Sequence, residues 1–509
     1  MNDSRREFLK KSGGCALGMV ALATQMQHLG MMTAMAQRVI DDKRDTVESP
    51  DLAYQALVLV YWQGGNDGNN VVIPNHSDVN ISNYSVYSAA RNTQGLAIPQ
   101  ASLLPITVPR LSNLTYGLHP NLGPMTPNGT TIINNGIYDI WGQGKMAIVT
   151  NVGNLVQPLT KAQYLNSAFK KPYQLFSHSD QVAQSQTSNA AMHAFTGWGG
   201  RVSDKMTAGS NPSGLIPMIT SINGAQLFTS GQTTLPLAIA DSNTPLASVL
   251  TPSGFGTSAT DMARLNAFNS LRTQDLSSNY VAAASHVTDL AIQANTALAS
   301  AQDVTTQFPT TSIGRQLKQV ARLIKDQSSL SINRQVFYVQ LGSFDTHTGQ
   351  VNGQGNLLTQ FSQAMRSFWD ELGVQGMQNN VTTFTLSDFC RTFNPAGTGA
   401  NVGSDHAWGN HMFVMGGSVT GSDFYGSLRP DGTGNYYPTL QMGNLATALD
   451  DSDNTAAGRG RWIPTTSVDQ YAAQLARWFG LAQDSATLAA VFPNLANFPG
   501  TLSQLGFLP

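Results

Sequence analysis

Charge is scarce in this chain. Only 11% of its 509 residues are Asp, Glu, Lys or Arg, whereas about a quarter of the residues in ordinary soluble domains are charged. With 28 basic and 30 acidic residues, it has no basic excess for binding nucleic acid or an anionic membrane surface. Asn, Thr, Ser, Gln and Gly supply the polar surface instead, a composition that is common outside the cytoplasm.

Cysteine is almost absent. The chain has two, Cys15 and Cys390, and Cys15 falls in an N-terminal segment that we predict to be removed. A single remaining thiol cannot form an internal disulfide, so the stability of the mature chain must come from core packing. We interpret Cys390 as a small, semi-buried hydrophobic residue. A redox or hydrolytic enzyme built on Cys390 is the weaker alternative, because no base flanks it.

A long uninterrupted apolar run is also missing at the N-terminus. The apolar segment 13–36 is interrupted by polar residues, which argues against a transmembrane anchor; these are Gln25, Gln27 and His28. Arg5-Arg6 precede this segment and Ala34-Met35-Ala36 end it. We therefore predict a twin-arginine signal peptide over residues 1–36, with an amphipathic helix as the alternative. The Tat translocase would then export the folded chain to the periplasm or beyond, with no membrane segment left after cleavage.

The rest of the chain favours one large α/β domain. Residues 37–55 form a polar leader, and residues 56–509 form a single domain with an insertion around 200–310. The continuous apolar run 56–62 is typical of a strand that is buried on both faces. Residues 145–150 predict a second such strand. We expect a mostly parallel central sheet sandwiched between helices.

A strand–helix–strand unit follows in the second half. Residues 336–341 and 381–386 predict strands, and the apolar residues between them recur every three or four positions, as in a crossover helix. The same spacing predicts a helix near 313–324, and a last helix is expected over 468–479. Short strands are predicted near 215–222 and 236–239.

Ligand-type residues follow the predicted strands. Asp345 and His347 come after one strand, Asp388 comes after the next, and Asp67 follows the first strand in a glycine-rich turn; the remaining ligand-type residues are Asp405, His406 and His411. Carboxylates and imidazoles suit zinc or a similar divalent ion, and seven such groups would suffice for a two-metal site. Each motif also has a local interpretation as a turn, a helix cap or a hydrogen-bond network.

Ser177 and His178 precede a predicted helix. In one interpretation Ser177 is a simple N-cap. In the other it is a nucleophile held at a helix N-terminus, where backbone N–H groups stabilise an oxyanion. A metal-activated water is the alternative nucleophile.

These motifs resemble the exported family catalogued as domain of unknown function fifteen hundred and one, which is placed in the alkaline phosphatase and sulfatase superfamily. The resemblance covers nearly all of the mature chain and rests on these motifs: Gly64-Gly65-Asn66-Asp67-Gly68, Leu118-His119-Pro120, Ser177-His178, Thr196-Gly197-Trp198, Phe344-Asp345-Thr346-His347, Ser387-Asp388-Phe389-x-Arg391, Asp405-His406, the last helix 471–480 and Val491-Phe492-Pro493-Asn494.

The resemblance implies an alkaline-phosphatase-like fold with loop-rich insertions. It also implies one or two divalent ions (zinc, calcium, magnesium or manganese) and a nucleophile at Ser177; the residues at matching ligand positions are Asp67, Asp345, His347, Asp388 and His406. The chain departs from the wider pattern in three motifs. Asn66 stands where sulfatases have a second carboxylate, and no Pro or Arg follows Ser177 in the sulfatase spacing. Phe389 follows Asp388 where phosphatases have His, so either Asp405-His406 takes that role or one metal site is incomplete.

We therefore expect an exported metal-dependent hydrolase of phosphate or sulfate esters that acts on a small-molecule or polysaccharide substrate. Ser177 and His178 are the expected catalytic residues; His119, Arg391 and His411 are further site candidates. The alternative is a non-catalytic exported binding or surface protein that retains the fold.

Overall fold

The structure is a computed structural model that describes residues 52–124, 134–250, 256–442, 450–453, 458–498 and 505–509. The predicted signal peptide and most of the predicted leader lie outside these ranges. Across the described ranges, no helix combines the length and apolar character needed to cross a membrane.

The described residues contain the following strands: β1 (Gln55–Trp62), β2 (Val72–Pro74), β3 (Leu104–Val108), β4 (Leu114–Leu118), β5 (Met146–Gly153), β6 (Ile219–Ser221), β7 (Leu237–Ala238), β8 (Arg334–Leu341), β9 (Val381–Ser387), β10 (Asn410–Gly416), β11 (Phe424–Tyr425) and β12 (Thr466–Ser467). Their α-helices are α1 (Tyr84–Arg91), α2 (Tyr138–Gly142), α3 (Lys161–Leu165), α4 (His178–Thr187), α5 (Trp198–Ser210), α6 (Ala259–Arg272), α7 (Asn279–Leu298), α8 (Ser312–Lys325), α9 (Gln350–Val374), α10 (Val468–Phe479) and α11 (Ser485–Val491).

The central sheet has the strand order β11-β5-β10-β9-β1-β8-β6-β7, and β12 pairs with β5. β10 runs antiparallel to both of its neighbours, and the other pairings are parallel. A separate antiparallel sheet has the order β2-β4-β3. The predicted mostly parallel α/β sheet is confirmed.

Both faces of the central sheet are covered, as its uninterrupted apolar strands require. Along β1, Leu57, Leu59 and Tyr61 pack in one core cluster with residues of α5 and α10. The alternate residues Val58 and Val60 pack in the other cluster with residues of α8 and α9. The sandwich of helix, sheet and helix is therefore confirmed.

The region around 200–310 lies partly within the sheet. The short strands β6 and β7 fall within the two segments predicted for them, and they extend the sheet beyond β8. α6 and α7 make up much of the remainder.

Cys390 is more deeply buried than expected. Only 1% of the residue is exposed, and burial raises the pKa of its thiol to about 12. The thiol is therefore protonated at neutral pH, a poor state for a nucleophile.

One edge of the central sheet collects the predicted site segments. β1, β8 and β9 are parallel, so their carboxyl ends meet there. β10 is antiparallel to β9 and therefore begins at the same edge. The three segments that leave β1, β8 and β9 and the segment that enters β10 thus come together, although more than 300 residues of sequence separate the first from the last.

Candidate metal centre

Three imidazoles and one carboxylate converge at this edge of the sheet. Nε2 of His406 lies 3.0 Å from Nε2 of His178 and 3.0 Å from Nε2 of His347. The same three atoms lie close to Oδ1 of Asp345, at 3.3 Å for His178, 3.1 Å for His347 and 3.5 Å for His406. The four side chains are 25–46% exposed, so the cluster faces solvent.

Each imidazole is held through its other nitrogen. Carboxylate and carbonyl oxygens accept from Nδ1 in every case: Asp388 Oδ2 from His178 at 2.8 Å, Asp405 Oδ1 from His347 at 3.2 Å, and the Phe176 carbonyl from His406 at 2.7 Å. Because an ionised carboxylate or a carbonyl can only accept, Nδ1 carries the proton in the neutral rings. The unprotonated Nε2 atoms are then the ones that face each other.

The local backbone explains how two of these contacts arise. His178 is the first residue of α4, which fixes its direction at the helix start. Phe176, two residues earlier, has φ +70°, a left-handed conformation that is unusual for a residue with a side chain. Its own backbone carbonyl accepts from Nδ1 of His406. Such backbone strain is more common at functional sites than elsewhere.

The spacing of three of these ligand atoms, on His178, Asp345 and His406, fits one divalent ion. Tetrahedral zinc sites have metal–ligand distances of about 2.0–2.2 Å, which place neighbouring ligand atoms about 3.4 Å apart. The separations given above run from 3.0 to 3.5 Å. The ligand atoms of His178, Asp345 and His406 all lie within 4.8 Å of one another, and this group does not include His347. The residues present therefore suit a metal such as zinc.

Neighbouring charges, hydrogen bonds and burial shift the pKa values of the clustered side chains. The hydrogen bond from His178 to Asp388 raises the pKa of His178 above its ordinary value, whereas burial lowers the pKa of His406. Burial alone would raise the pKa of Asp345, but the charge of Arg391 and its hydrogen bond outweigh that effect and lower it. Asp345 is therefore an anion, and His406 is a neutral ring able to offer a lone pair.

Arg391 lies on the buried side of the cluster and contacts the segments that follow β1 and β8 and the segment that precedes β10. Its guanidinium is fully buried and contacts Asp345 Oδ1. It also donates to the backbone carbonyls of Gly65 at 3.1 Å and Ser404 at 2.9 Å. Its Nη1 lies 3.4 Å from Nε2 of His347. Arg391, a candidate in the sequence analysis, thus reaches the cluster itself.

Asp388 and Asp405, which the sequence suggested as metal ligands, stand behind the histidines. Both oxygens of each are engaged: Asp388 accepts from His178 and from the Gly64 backbone N–H at 3.2 Å, and Asp405 contacts His347 and Arg459. Carboxylates in this position orient a metal-binding imidazole and increase its basicity. His178, expected as a catalytic residue, contributes its Nε2 to the cluster.

Asp67 is not part of the cluster contacts. Its carboxylate is buried against the guanidinium of Arg91, which is also fully buried. It further accepts from Gln350 and from the backbone N–H of Asn69. The side-chain amide of Asn69 donates to it as well, at 3.0 Å, so an internal cation and three further donors occupy the group that the resemblance assigned to a metal.

Two other histidines are buried away from these contacts. Nδ1 of His119 accepts from the Asn121 backbone at 3.1 Å, and Nδ1 of His411 accepts from the Asn151 backbone at 3.3 Å. Burial lowers the pKa of each to about 3, so both rings are neutral.

Ser177 occupies the N-cap position of α4, but its side chain makes no capping hydrogen bond. Its hydroxyl donates to Asp180 at 2.6 Å instead. The simple N-cap interpretation is therefore wrong for its side chain. Its role as a nucleophile stays a prediction.

Sequence reasoning missed the partners that complete this arrangement, which are Arg91, Phe176 and Arg459. A backbone carbonyl leaves no signal in residue type, and neither arginine lies in a motif with its aspartate. Only the proximity of Phe176 to Ser177 could have drawn attention to it.

Comparisons with known proteins agree with the sequence resemblance. A family model described as "Protein of unknown function (DUF1501)" matches residues 144–474. The search of curated proteins found no match.

Solved structures give only distant similarity. The sulfatase PsFucS1 from Pseudoalteromonas sp. has a TM-score of 0.27 and 9% identity, covering 79% of this chain and 68% of its own. The lipoteichoic acid synthase LtaP from Listeria monocytogenes has a TM-score of 0.27 and 9% identity, covering 80% of each chain. The alkaline phosphatase from the Antarctic bacterium TAB5 has a TM-score of 0.22 and 10% identity, covering 72% and 92%. Similarity at this level carries no argument about the site.

Proposed function

This chain belongs to the family described as protein of unknown function (DUF1501), and we propose that it is a metal-dependent hydrolase of phosphate or sulfate esters. One observation carries the proposal: three Nε2 atoms converge on one oxygen of Asp345 while each Nδ1 is held by an acceptor. This pattern of metal-facing nitrogen and supporting hydrogen bond is the usual one for metal-bound histidine.

The proposed ligands of one divalent ion are His178, His406 and Asp345, and His347 lies beside the last two. When bound, such an ion supplies positive charge that polarises an ester oxygen and lowers the pKa of an attacking hydroxyl or water. Asp388, Asp405 and the Phe176 carbonyl keep the three rings in the tautomer that presents Nε2. The solvent-facing position leaves room for a substrate to approach.

Ser177 is the nucleophile that we favour, with water as the alternative. Its hydroxyl lies one residue before His178 and donates to Asp180, so a carboxylate is in place to accept the proton when the oxygen attacks. The backbone N–H groups at the start of α4 favour negative charge nearby. Attack on phosphorus or sulfur would release the alcohol, and water would then release the inorganic anion.

Metal analysis tests the proposal directly. We expect purified protein prepared with excess zinc, magnesium, calcium and manganese to retain about one divalent ion per chain by mass spectrometry, and to hydrolyse nitrophenyl phosphate or nitrophenyl sulfate. His406→Ala should lose most of that metal, and the exposed His193→Ala should retain it. A wild-type protein that retains no divalent ion would refute the proposal.

One observation favours the non-catalytic alternative, a binding protein that keeps the fold. Arg391 already contacts Asp345 Oδ1, so a permanent internal cation partly neutralises the carboxylate on which the cluster converges. Ser177→Ala and His347→Ala separate the two functions. Loss of ester hydrolysis in both variants supports the enzyme, whereas an unaltered partner-binding phenotype in both supports the alternative.

We also propose that the Tat translocase exports the chain in the folded state. The support is the paired Arg5-Arg6 ahead of an apolar segment that ends in Ala34-Met35-Ala36. Because the twin arginine is the recognition element, replacing both residues by lysine should keep the protein inside the cell. Unchanged amounts of the variant in the periplasmic fraction would contradict this route.

A further inference from the structure

A short segment beside the metal centre carries two arginines. Arg459 contacts Asp405, the residue that holds His347. The guanidinium carbon of Arg461 lies 4.1 Å from the centre of the Phe176 ring. The backbone of the segment is fixed, since the N–H groups of Phe393 and Asn394 donate to the carbonyls of Gly460 and Arg459 at 2.8 and 3.0 Å. Both arginines are thus anchored at the rim of the cluster.

These guanidinium groups retain unused donors. A guanidinium has five N–H donors, but the nearest carboxylate of Arg461 is Asp453, at 3.5 Å. Among the described residues, Nε of Arg459 and Nε of Arg461 make no hydrogen bond, but both atoms are buried, so a ligand can use only the terminal nitrogens of each group. The two side chains are 39% and 33% exposed, so solvent, or a ligand in its place, reaches them.

The charge around the site is otherwise scarce. The chain has only 28 basic residues among 509, and three of them surround this cluster: Arg391 below it, with Arg459 and Arg461 at its rim. Arg391 is fully buried and committed to Asp345 and to backbone carbonyls. The two rim arginines are therefore the ones available to a ligand.

We propose that Arg459 and Arg461 determine substrate specificity by binding a second anionic group of the substrate. The preferred substrate is then an ester that carries another phosphate, sulfate or carboxylate group on the same molecule. Guanidinium groups suit this task because they pair with such oxyanions through two parallel hydrogen bonds. This inference rests on the proposed function, in which the metal centre receives the first group.

Calorimetric titration of the metal-loaded full chain tests the inference without requiring turnover. The probes are glucose 1-phosphate against glucose 1,6-bisphosphate, and a monosulfated disaccharide against its disulfated form. We expect the wild type to bind the doubly charged member of at least one pair about tenfold more tightly. The pair that shows the effect identifies the anion. Arg461→Gln should bring that ratio close to one, and Arg461→Lys should restore part of it.

The chain offers a matched control in Arg110→Gln. Arg110 also stacks on an aromatic ring at 4.1 Å, is 32% exposed and pairs with an aspartate at 3.2 Å, but it lies beside β11 near the opposite edge of the sheet. This variant should keep the wild-type ratio.

Equal affinities within both pairs, no binding of any probe, or an unchanged ratio in Arg461→Gln would overturn the inference. Metal content is measured on the same samples. Retained metal without discrimination rejects this inference alone, whereas absent metal rejects the proposed function.

Discussion

The three clustered histidines use their two ring nitrogens for different tasks. Nδ1 donates to an oxygen of Asp388, Asp405 or Phe176, and Nε2 faces the cluster. The acceptor therefore selects the tautomer, and the tautomer decides whether a lone pair is available to a metal. A change in an acceptor should weaken metal binding even though every ligand remains.

Asp388→Asn is the cleanest test at the residue scale. The amide keeps the size of the carboxylate but removes its charge and can present a donor to Nδ1 of His178. We expect metal affinity to fall about 10- to 100-fold, as measured by competition with a coloured chelator. Asp289→Asn, which changes a half-exposed ion pair with Arg272, should have no effect. An unchanged affinity in Asp388→Asn would remove the supporting role of this carboxylate.

The sequence indicated which residues gather at this edge of the sheet. It did not indicate which of them face the metal centre and which support those residues from further inside the protein. Asp345, His347 and His406 were predicted from strand ends, and the structure places them together. Asp67 was predicted by the same reasoning but pairs with Arg91, which arrives from α1. Asp388 and Asp405 lie one contact behind the rings. Residue type and spacing do not distinguish a ligand from its support, because both are carboxylates close to an imidazole.

The turn after β1 and the segment after β8 form a tightly packed pair of elements. Gly64 has φ +111°, and a Cβ at that position would lie 2.5 Å from the backbone nitrogen of Asp345. Only glycine combines this conformation with so close an approach. The path of the Asp345 segment therefore depends on the absence of a side chain at Gly64.

Gly64→Ala should displace that segment. We expect a loss of stability of about 3 kcal/mol or more, from the strained φ and the backbone clash, together with reduced metal content. Gly376→Ala is the matched control, because Gly376 also has a positive φ, +71°, but nothing lies within 4 Å of the added carbon. It should cost only about 1 kcal/mol. Urea denaturation and metal analysis measure both effects, and equal costs would contradict the packing argument.

The predictable elements of the fold were the helices whose apolar residues recur every three or four positions and the strands formed by continuous apolar runs. The helices α8, α9 and α10 and the strands β8 and β9 follow the predicted patterns. The direction of β10 was not predictable, because a buried apolar strand has the same composition whether it runs parallel or antiparallel. That direction nevertheless brings His406 to the site.

Asp469 makes the stability of the whole molecule depend on pH. It lies in the first turn of α10 with 1% of its surface exposed, and burial raises its pKa to about 7. Between about pH 4, where the carboxyl ionises in the unfolded chain, and pH 7, the folded state binds more protons. The contribution of this group therefore becomes less favourable as pH rises through that window and is constant above it.

Asp469→Asn should remove this dependence. At pH 8 the variant should be more stable than the wild type by at most about 4 kcal/mol, since each pH unit of the difference in pKa contributes about 1.4 kcal/mol. Near pH 4 the two should be similar. Thermal unfolding of the metal-free proteins at both pH values measures the difference. If the difference in stability between the variant and the wild type does not increase from pH 4 to pH 8, Asp469 is not held in its protonated form.

The buried thiol of Cys390 lies within the floor of the site. Its backbone N–H donates to the Trp408 carbonyl at 3.0 Å, and its sulfur accepts from Asn69 at 3.6 Å. With a pKa of about 12, the sulfur can react with an aromatic disulfide reagent only after this floor opens to solvent. Cys15 is the other cysteine of the chain, so no second thiol competes in a protein that lacks the proposed signal peptide. The rate at which the reagent labels Cys390 in the native chain therefore measures how often the site opens to solvent. A bound ion that holds the surrounding loops in place would lower this rate.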